Sequence, residues 1–340
     1  MNKPPFTITN AALNLMVQIA EKTGRLQSDY EQQLHLRKNN RLRSIQASLA
    51  IENNSMTLEQ VTDIVAGRRV LGQPKEIQEV KNAFDAYEHI PHFSPYSVDN
   101  FLTAHRLMTQ GLVDSAGQFR SGDVGIFDTK GNVVHMGARP DFVPRLISDL
   151  LAWASNDDTP ALIKSCVVHY EIEVIHPFAD GNGRMGRLWQ TVVLSADNPI
   201  FAWLPIETMV YEHQSDYYKT LAKADKNNDS TVFIEFMLSV ILQTIEGYVL
   251  KQMSDKSSDI MSDKLSAKKQ LVYQQIASYL QRHTSISSQQ AQRLLGKSPA
   301  TVRRYLKSLV DCGFLIASGE NKARIYKANR GKSLREGDND

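Results

Sequence analysis

The sequence predicts a mainly helical protein with two small β-hairpins, on three observations. Apolar residues recur at three- and four-residue spacing over most of the chain. Runs of strand character flanked by turn residues occur near 117–136 and 313–327. Charge is divided unevenly: residues 264–334 hold 14 Lys and Arg against 2 Asp and Glu, an excess of +12, and the chain's net +2 then leaves about −10 for the remainder. A basic C-terminal module on an acidic body follows, and 340 residues suit about two or three domains.

In chain order, residues ~7–35 and ~41–52 show helical spacing, with Leu13, Met16, Ile19 and Ala20 on one stripe. Ile77, Val80, Phe84 and Tyr87 mark a further helix, and Phe101, Ala104, His105 and Met108 the next. Residues 117–127 and 132–136 flank Asp128-Thr129-Lys130-Gly131 and predict a hairpin. Helical spacing returns at Phe142, Val143, Leu146, Ile147, Leu150 and Leu151, and again over Ala161–Ile175. Pro177 bars that helix from continuing. Residues 184–194 read as the helix behind the loop.

The loop is the most informative stretch: His176-Pro177-Phe178-Ala179-Asp180-Gly181-Asn182-Gly183-Arg184-Met185-Gly186-Arg187. Gly181-Asn182-Gly183 has little side-chain bulk, so its backbone N–H groups can approach phosphate oxygens. A helix start there adds free N–H groups and partial positive charge. Arg184 and Arg187 are three apart and share a helix face suited to a polyphosphate. Asp180 is a hard oxygen ligand suited to Mg²⁺. His176 can serve as a base near neutral pH.

This stretch resembles the signature of the Fic family, H-x-F-x-(D/E)-G-N-G-R-x-x-R, with every fixed position filled. The resemblance implies a Fic-type helical bundle with a β-hairpin flap. It implies transfer of AMP from ATP to a Tyr, Ser or Thr hydroxyl of a target protein. His176 would take the hydroxyl proton, Asp180 would hold Mg²⁺, and Gly181, Asn182 and Gly183 would stabilise the transferring phosphate. Arg184 and Arg187 would hold the β- and γ-phosphates, while Phe178 anchors the loop. Phosphate-transferring relatives such as the Doc toxins carry Lys where this chain has Gly183, which favours AMP transfer. A branch using CDP-choline keeps a similar motif, so another nucleotide donor is an alternative. Tyr217 and Asp225 lie in a segment resembling the helix that borders adenine and ribose.

The flap, Val133, Val134, His135 and Met136, would dock an extended target segment along its edge. Upstream, Ser48-Leu49-Ala50-Ile51-Glu52-Asn53 resembles the inhibitory motif (S/T)-x-x-x-E-(G/N). The resemblance implies that Glu52 pairs with Arg187 and blocks γ-phosphate seating, with Ser48 as the motif's first position.

Beyond a polar segment, 251–266, read as a linker or weakly anchored helix, Leu271, Ile276, Tyr279 and Leu280 mark a helix. Ser287 or Ser288 caps a second. Ser298-Pro299 opens a third, with Val302, Leu306 and Leu309 inward and Arg303, Arg304 and Lys307 outward. Two strand-like runs follow. Three helices and a hairpin resemble a winged helix-turn-helix, which implies DNA contact through Arg303, Arg304 and Lys307, or protein docking. The expected division is 1–95 N-terminal helical region, 96–250 catalytic domain, 251–266 linker, 267–330 winged helix and 331–340 polar tail. The second functional class is a DNA-binding regulator whose body acts as a sensor. Self-modification and a homodimer are further partner expectations.

No apolar run behind a basic start marks a signal peptide, and no uninterrupted apolar stretch long enough to span a bilayer is expected. Cys166 and Cys312 match no metal spacing and read as reduced packing residues in a cytoplasmic protein.

Overall fold

Thr9 opens the first helix by accepting the Ala12 N–H on its hydroxyl (3.1 Å). The computed structural model describes residues 3–30, 34–127, 133–264, 267–311, 314–319 and 324–329, in two units, Met1–Val249 and Leu250–Asp340. Cys312 and the 331–340 tail lie outside the described residues.

Helix α1, Asn10–Tyr30, buries Ala12, Ile19, Thr23 and Leu26. The expected stripe is corrected: Leu13 is 47% exposed and Ala20 is exposed. The buried stripe can run through polar Thr23 because its hydroxyl donates to the Ile19 carbonyl (2.6 Å). Helix α2, Leu34–Ile51, is a core helix whose Leu42, Ile45, Leu49 and Ile51 are buried with Ser44 and Ser48. Helix α3, Leu58–Val65, which periodicity did not single out, starts with a capping box between Thr57 and Gln60. Helix α4, Pro74–Glu88, carries Pro in its first turn, and α5, Val98–Thr109, is capped by Ser97.

Strands β1, Gly125–Phe127, and β2, Val133–Met136, pair antiparallel with Gly125 opposite Met136 and an irregularity at Phe127. The first arm of the hairpin is therefore shorter than expected. Residues before it bond elsewhere: Gly117 N–H to His105 Nδ1 (2.9 Å) and Arg120 N–H to the Pro177 carbonyl (3.1 Å).

Helices α6, Val143–Asn156, α7, Ala161–Ile175, and α8, Asn182–Asp197, follow. Helices α7 and α8 are buried along most of their length, with Trp189, Leu188, Val168 and Cys166 inside. Burial pushes the free Cys166 thiol up to about 12. Helices α9, Ile206–Glu212, and α10, Gln214–Asn227, follow, and α11, Thr231–Lys264, starts within the first unit and runs past its boundary at Val249. One core runs from Ala12 to Tyr248, so the residues before 95 share the body's core.

The apolar face of α11 is interrupted by Glu235 and Glu246, so no uninterrupted apolar stretch of bilayer length occurs there. By length and composition alone, Thr231–Tyr248, 18 residues of mean hydropathy 1.3, is enough to cross a bilayer. Its Phe233, Met237, Leu238, Ile241 and Ile245 are nevertheless buried against the other helices. Most of the segment read as a linker or weakly anchored helix is helical, because α11 runs to Lys264.

In the second unit, α12, Ala267–Arg282, is followed by β3, Ile286–Ser287, α13, Ser288–Leu295, and α14, Pro299–Asp311. Strands β4, Leu315–Ser318, and β5, Ile325–Ala328, complete a sheet of order β3-β5-β4. Val272, Ile276, Ala291, Val302, Leu306, Leu309 and Leu315 form its core. Leu271 is 64% exposed, so Val272 fills the place expected for it. This is the winged-helix arrangement, with β3 as a third strand.

Candidate active site

The site forms where α7 stops and α8 starts. His176 caps α7 in the left-handed region (φ 52, ψ 61), which non-glycine residues seldom occupy. Its Nδ1 lies 3.2 Å from the Glu173 carbonyl. A carbonyl only accepts, so Nδ1 carries the hydrogen and the neutral ring keeps its lone pair on Nε2. Gly181 (φ 87) then turns the chain into α8, whose first N–H groups face the loop.

Phe178 is fully buried and locks the loop from below. Its ring stacks on His105 at 3.6 Å and packs on Phe101 and Phe119. His105 Nδ1 accepts the Gly117 N–H, so its Nε2 donates to the Asp180 carbonyl (3.0 Å). Burial holds His105 down at about 4, so it is neutral at physiological pH.

The Asn182 side chain is engaged within the loop. Asn182 is buried, accepts the Phe178 N–H (2.8 Å) and donates to the Phe178 carbonyl (2.8 Å). Both ends of its amide brace the loop, which leaves its backbone N–H, with those of Gly181 and Gly183, at the helix start.

Arg184 is buried, donates to Asp180 Oδ1 (3.0 Å) and has Glu79 at 3.8 Å. Its Nε and Nη1 have no hydrogen-bond partner among the described residues, although the Glu79 and Asp180 carboxylates balance its charge. Arg187 is also buried. Its Nε donates to Ser48 Oγ (3.1 Å), and Nη2 donates to the Ser48 carbonyl (3.0 Å) and Glu52 Oε1 (2.7 Å). Burial alone would lower the Arg187 pKa, but Glu52, Tyr217 and Glu173 outweigh it and raise it. The Glu52 carboxylate lies over Gly183, where a Cβ would clash with Oε1.

Glu173 sits behind both His176 and Arg187. Burial pushes its carboxyl up, yet His169, Arg187 and His176 together hold it below the usual range. Tyr217 is 1% exposed, with its hydroxyl 3.0 Å from His169 Nε2 and 3.4 Å from Glu173 Oε1. It belongs to the core under the loop, and the neighbouring Tyr218 is 46% exposed and reaches the Ile51 carbonyl (3.4 Å). Asp225 is likewise engaged: its Oδ2 is 3.0 Å from Nδ1 of His135, whose Nε2 is 2.7 Å from the Val174 carbonyl. His135 thus ties β2 to Asp225 of α10 and to the end of α7. Met136 is 52% exposed, while the side chains of Val133 and Val134 lie outside the description.

Residues that the sequence reading missed are Arg120, Glu79, Glu173 and His105's link to Asp180. Among the described residues no three His, Cys, Asp or Glu side chains gather as a metal site. A Mg²⁺ carried by phosphates needs only one or two protein carboxylates, and Asp180, 47% exposed beside the helix start, fits.

In the second unit Arg303, Arg304 and Lys307 lie exposed on α14. With Arg324 of the wing, Arg303 and Lys307 border a cleft closed by Ser287, Gln292 and Tyr326.

The structure thus combines a helical body with a hairpin, a glycine turn at a helix start and two buried arginines. The Fic/DOC family profile matches residues 95–194, and a DeoR-like helix-turn-helix domain matches residues 273–317. The crystal structure of a Fic family protein from Desulfovibrio desulfuricans G20 is 40% identical, with TM-score 0.71, covering 98% of this chain and 100% of that one. The chain belongs to the Fic family. The protein adenylyltransferase Fic of Nematostella vectensis is 27% identical over 217 residues, 59% of this chain and 47% of that protein. A probable protein adenylyltransferase of Aquifex aeolicus is 30% identical over 132 residues, 35% of this chain and 38% of that protein. The chain spans about half the length of the first of these curated relatives or less.

Proposed function

We infer that this protein transfers AMP from ATP to a hydroxyl side chain of a target protein and that Glu52 restrains the reaction. The observation that carries the reading is the His176 cap: its Nδ1 faces the Glu173 carbonyl, so Nε2 is left to accept a proton beside the α8 start. The hydroxyl oxygen bonds to the α-phosphorus as its proton passes to Nε2. The bond from that phosphorus to the bridging oxygen breaks, and pyrophosphate leaves. The N–H groups at the α8 start stabilise charge on the transferring phosphate. Arg184 and Arg187 grip the leaving phosphates. Mg²⁺, held through Asp180, would neutralise phosphate charge.

Relatives named protein adenylyltransferases support the activity in general. The 2.7 Å contact of Glu52 with Arg187 supports restraint, because the carboxylate occupies the guanidinium that a γ-phosphate would need. Incubation with Mg²⁺ and α-labelled ATP, alone and with cell lysate, tests both. Label should reach protein with Glu52→Gly and not with Glu52→Gly/His176→Ala. Label in both, or in neither, overturns the reading.

DNA contact is a second role for the winged helix, favoured by the exposed cations of α14 and the DeoR-like match.

A further inference from the structure

Arg120 lies outside the signature loop and is 5% exposed. Its guanidinium is spent on main-chain carbonyls. Nε donates to His176 (2.7 Å), Nη1 to Gly122 (2.7 Å), and Nη2 to both Ala138 and Ile175, the latter at 3.3 Å. Burial lowers its pKa, with Asp123 opposing. A buried cation is costly unless its surroundings carry compensating charge. Here four main-chain carbonyls supply it, two of them at the negative end of α7.

The four carbonyls belong to three pieces of chain. Gly122 is on the leg entering β1, Ala138 on the leg leaving β2, and Ile175 and His176 end α7. Main-chain bonds repeat the link: Ala138 N–H to Ile175 (3.2 Å) and Arg120 N–H to Pro177 (3.1 Å). Gly137 fits tightly into the same joint. A Cβ there would lie 2.9 Å from Arg120 Nη2 and 3.1 Å from His176 Cβ. The hairpin and the left-handed His176 are therefore fastened to one guanidinium and cannot shift independently.

We propose that Arg120 is a positioning residue for group transfer, fixing the His176 ring relative to an acceptor strand laid along the hairpin. The proposal rests on the AMP-transfer reading. Arg120 hydrogen-bonds to none of the phosphate-facing groups from Gly181 to Arg187. Its loss should misplace the base while leaving ATP binding intact. A side chain that only supports folding would lose both together.

The test uses the full chain in the Glu52→Gly background, with Arg120→Met, Arg120→Lys and Gly137→Ala added singly. Initial rates are read as α-label from ATP reaching protein in cell lysate, and ATP affinity by calorimetry. A further readout is the ¹⁵N signal of the His176 ring, assigned by comparison with His176→Asn. Arg120→Met should lower the transfer rate between about tenfold and about a hundredfold, the scale of an ångström-sized misplacement. ATP affinity should stay within about twofold, well under the 1.4 kcal/mol of a tenfold change. The His176 ring signal should move, and Arg120→Lys should restore part of the rate. Gly137→Ala pushes on the joint from the other side without removing the cation, so it covers the case in which Arg120→Met does not fold. It should reproduce the rate loss with intact ATP affinity. An unchanged rate and ring signal, or rate and ATP affinity falling together in Gly137→Ala, would overturn the proposal. If Glu52→Gly alone transfers no label, the AMP-transfer reading fails, and the ring signal still decides whether Arg120 positions His176.

Discussion

Replacing Glu52 by Gly removes one member of a pair in which the other is sealed in. The Arg187 side chain is 2% exposed and that of Glu52 37%. Breaking a fully buried pair costs about 3–5 kcal/mol, whereas an exposed pair is worth about 0.2–1 kcal/mol. This pair is buried on one side and screened on the other, so about 1–2 kcal/mol is the relevant scale. If Glu52 and a γ-phosphate compete for Arg187, that difference corresponds to roughly a five- to thirtyfold gain in productive ATP binding. It is a floor, because Glu52 also fills the space above Gly183. Arg187 should hold its place without Glu52, since both bonds to Ser48 remain. Position 52 also follows the last residue of α2, where glycine is tolerated. The assay is the initial rate of α-label incorporation from ATP, with Arg187→Ala/Glu52→Gly as the control. Equal rates for wild type and Glu52→Gly would refute the argument. So would an undiminished gain when Arg187 is absent.

Three further outcomes are expected. His105 is held at about 4 by burial, against about 6.5 in the unfolded chain. Between those values the unfolded chain binds a proton that the fold excludes, so stability is lost as pH falls through that window, by at most about 3 kcal/mol. Urea unfolding at pH 7.5 and 4.5 should show wild type losing more than His105→Gln, and equal losses would count against it. Asp225→Ala should loosen the hairpin by removing the His135 contact, raising amide exchange over Val133–Met136 by about tenfold, the scale of a charge-assisted hydrogen bond. Unchanged exchange there would place the hairpin's anchorage elsewhere. Replacing Arg303 and Lys307 by Ala should shallow the salt dependence of duplex DNA binding by about two ion equivalents. The same slope in anisotropy titrations would remove α14 from the interface.

How much was legible in the sequence depended on the kind of contact. The signature loop is contiguous, and its residue types name their chemistry. Helices α7 and α14 and strand β2 were plain from spacing and from flanking Pro, Gly and Ser. Short α3 was not, because eight residues barely exceed two helical turns. The α1 stripe was misread because Thr23 is buried by bonding its own helix, which makes a polar residue count as inward. The contacts of Asn182 and Tyr217 were not legible for a related reason. Each is a side chain able to meet phosphate or nucleotide, and each is consumed within the protein, one on Phe178's main chain and the other on His169.

Arg120 shows the limit most clearly. A carboxylate partner would have left a trace in the sequence as an opposite charge, but carbonyl acceptors belong to every residue and leave none. The same property lets one guanidinium join pieces of chain whose side chains are free to differ. Gly122, Ala138, Ile175 and His176 come together at the joint between the hairpin and the end of α7, and local periodicity is silent on such long-range main-chain contacts. Sequence reasoning therefore fails most where the fold couples distant segments. In this chain that coupling is concentrated beside His176, one of three described non-glycine residues in the left-handed region, where a functional constraint is expected to override local preference.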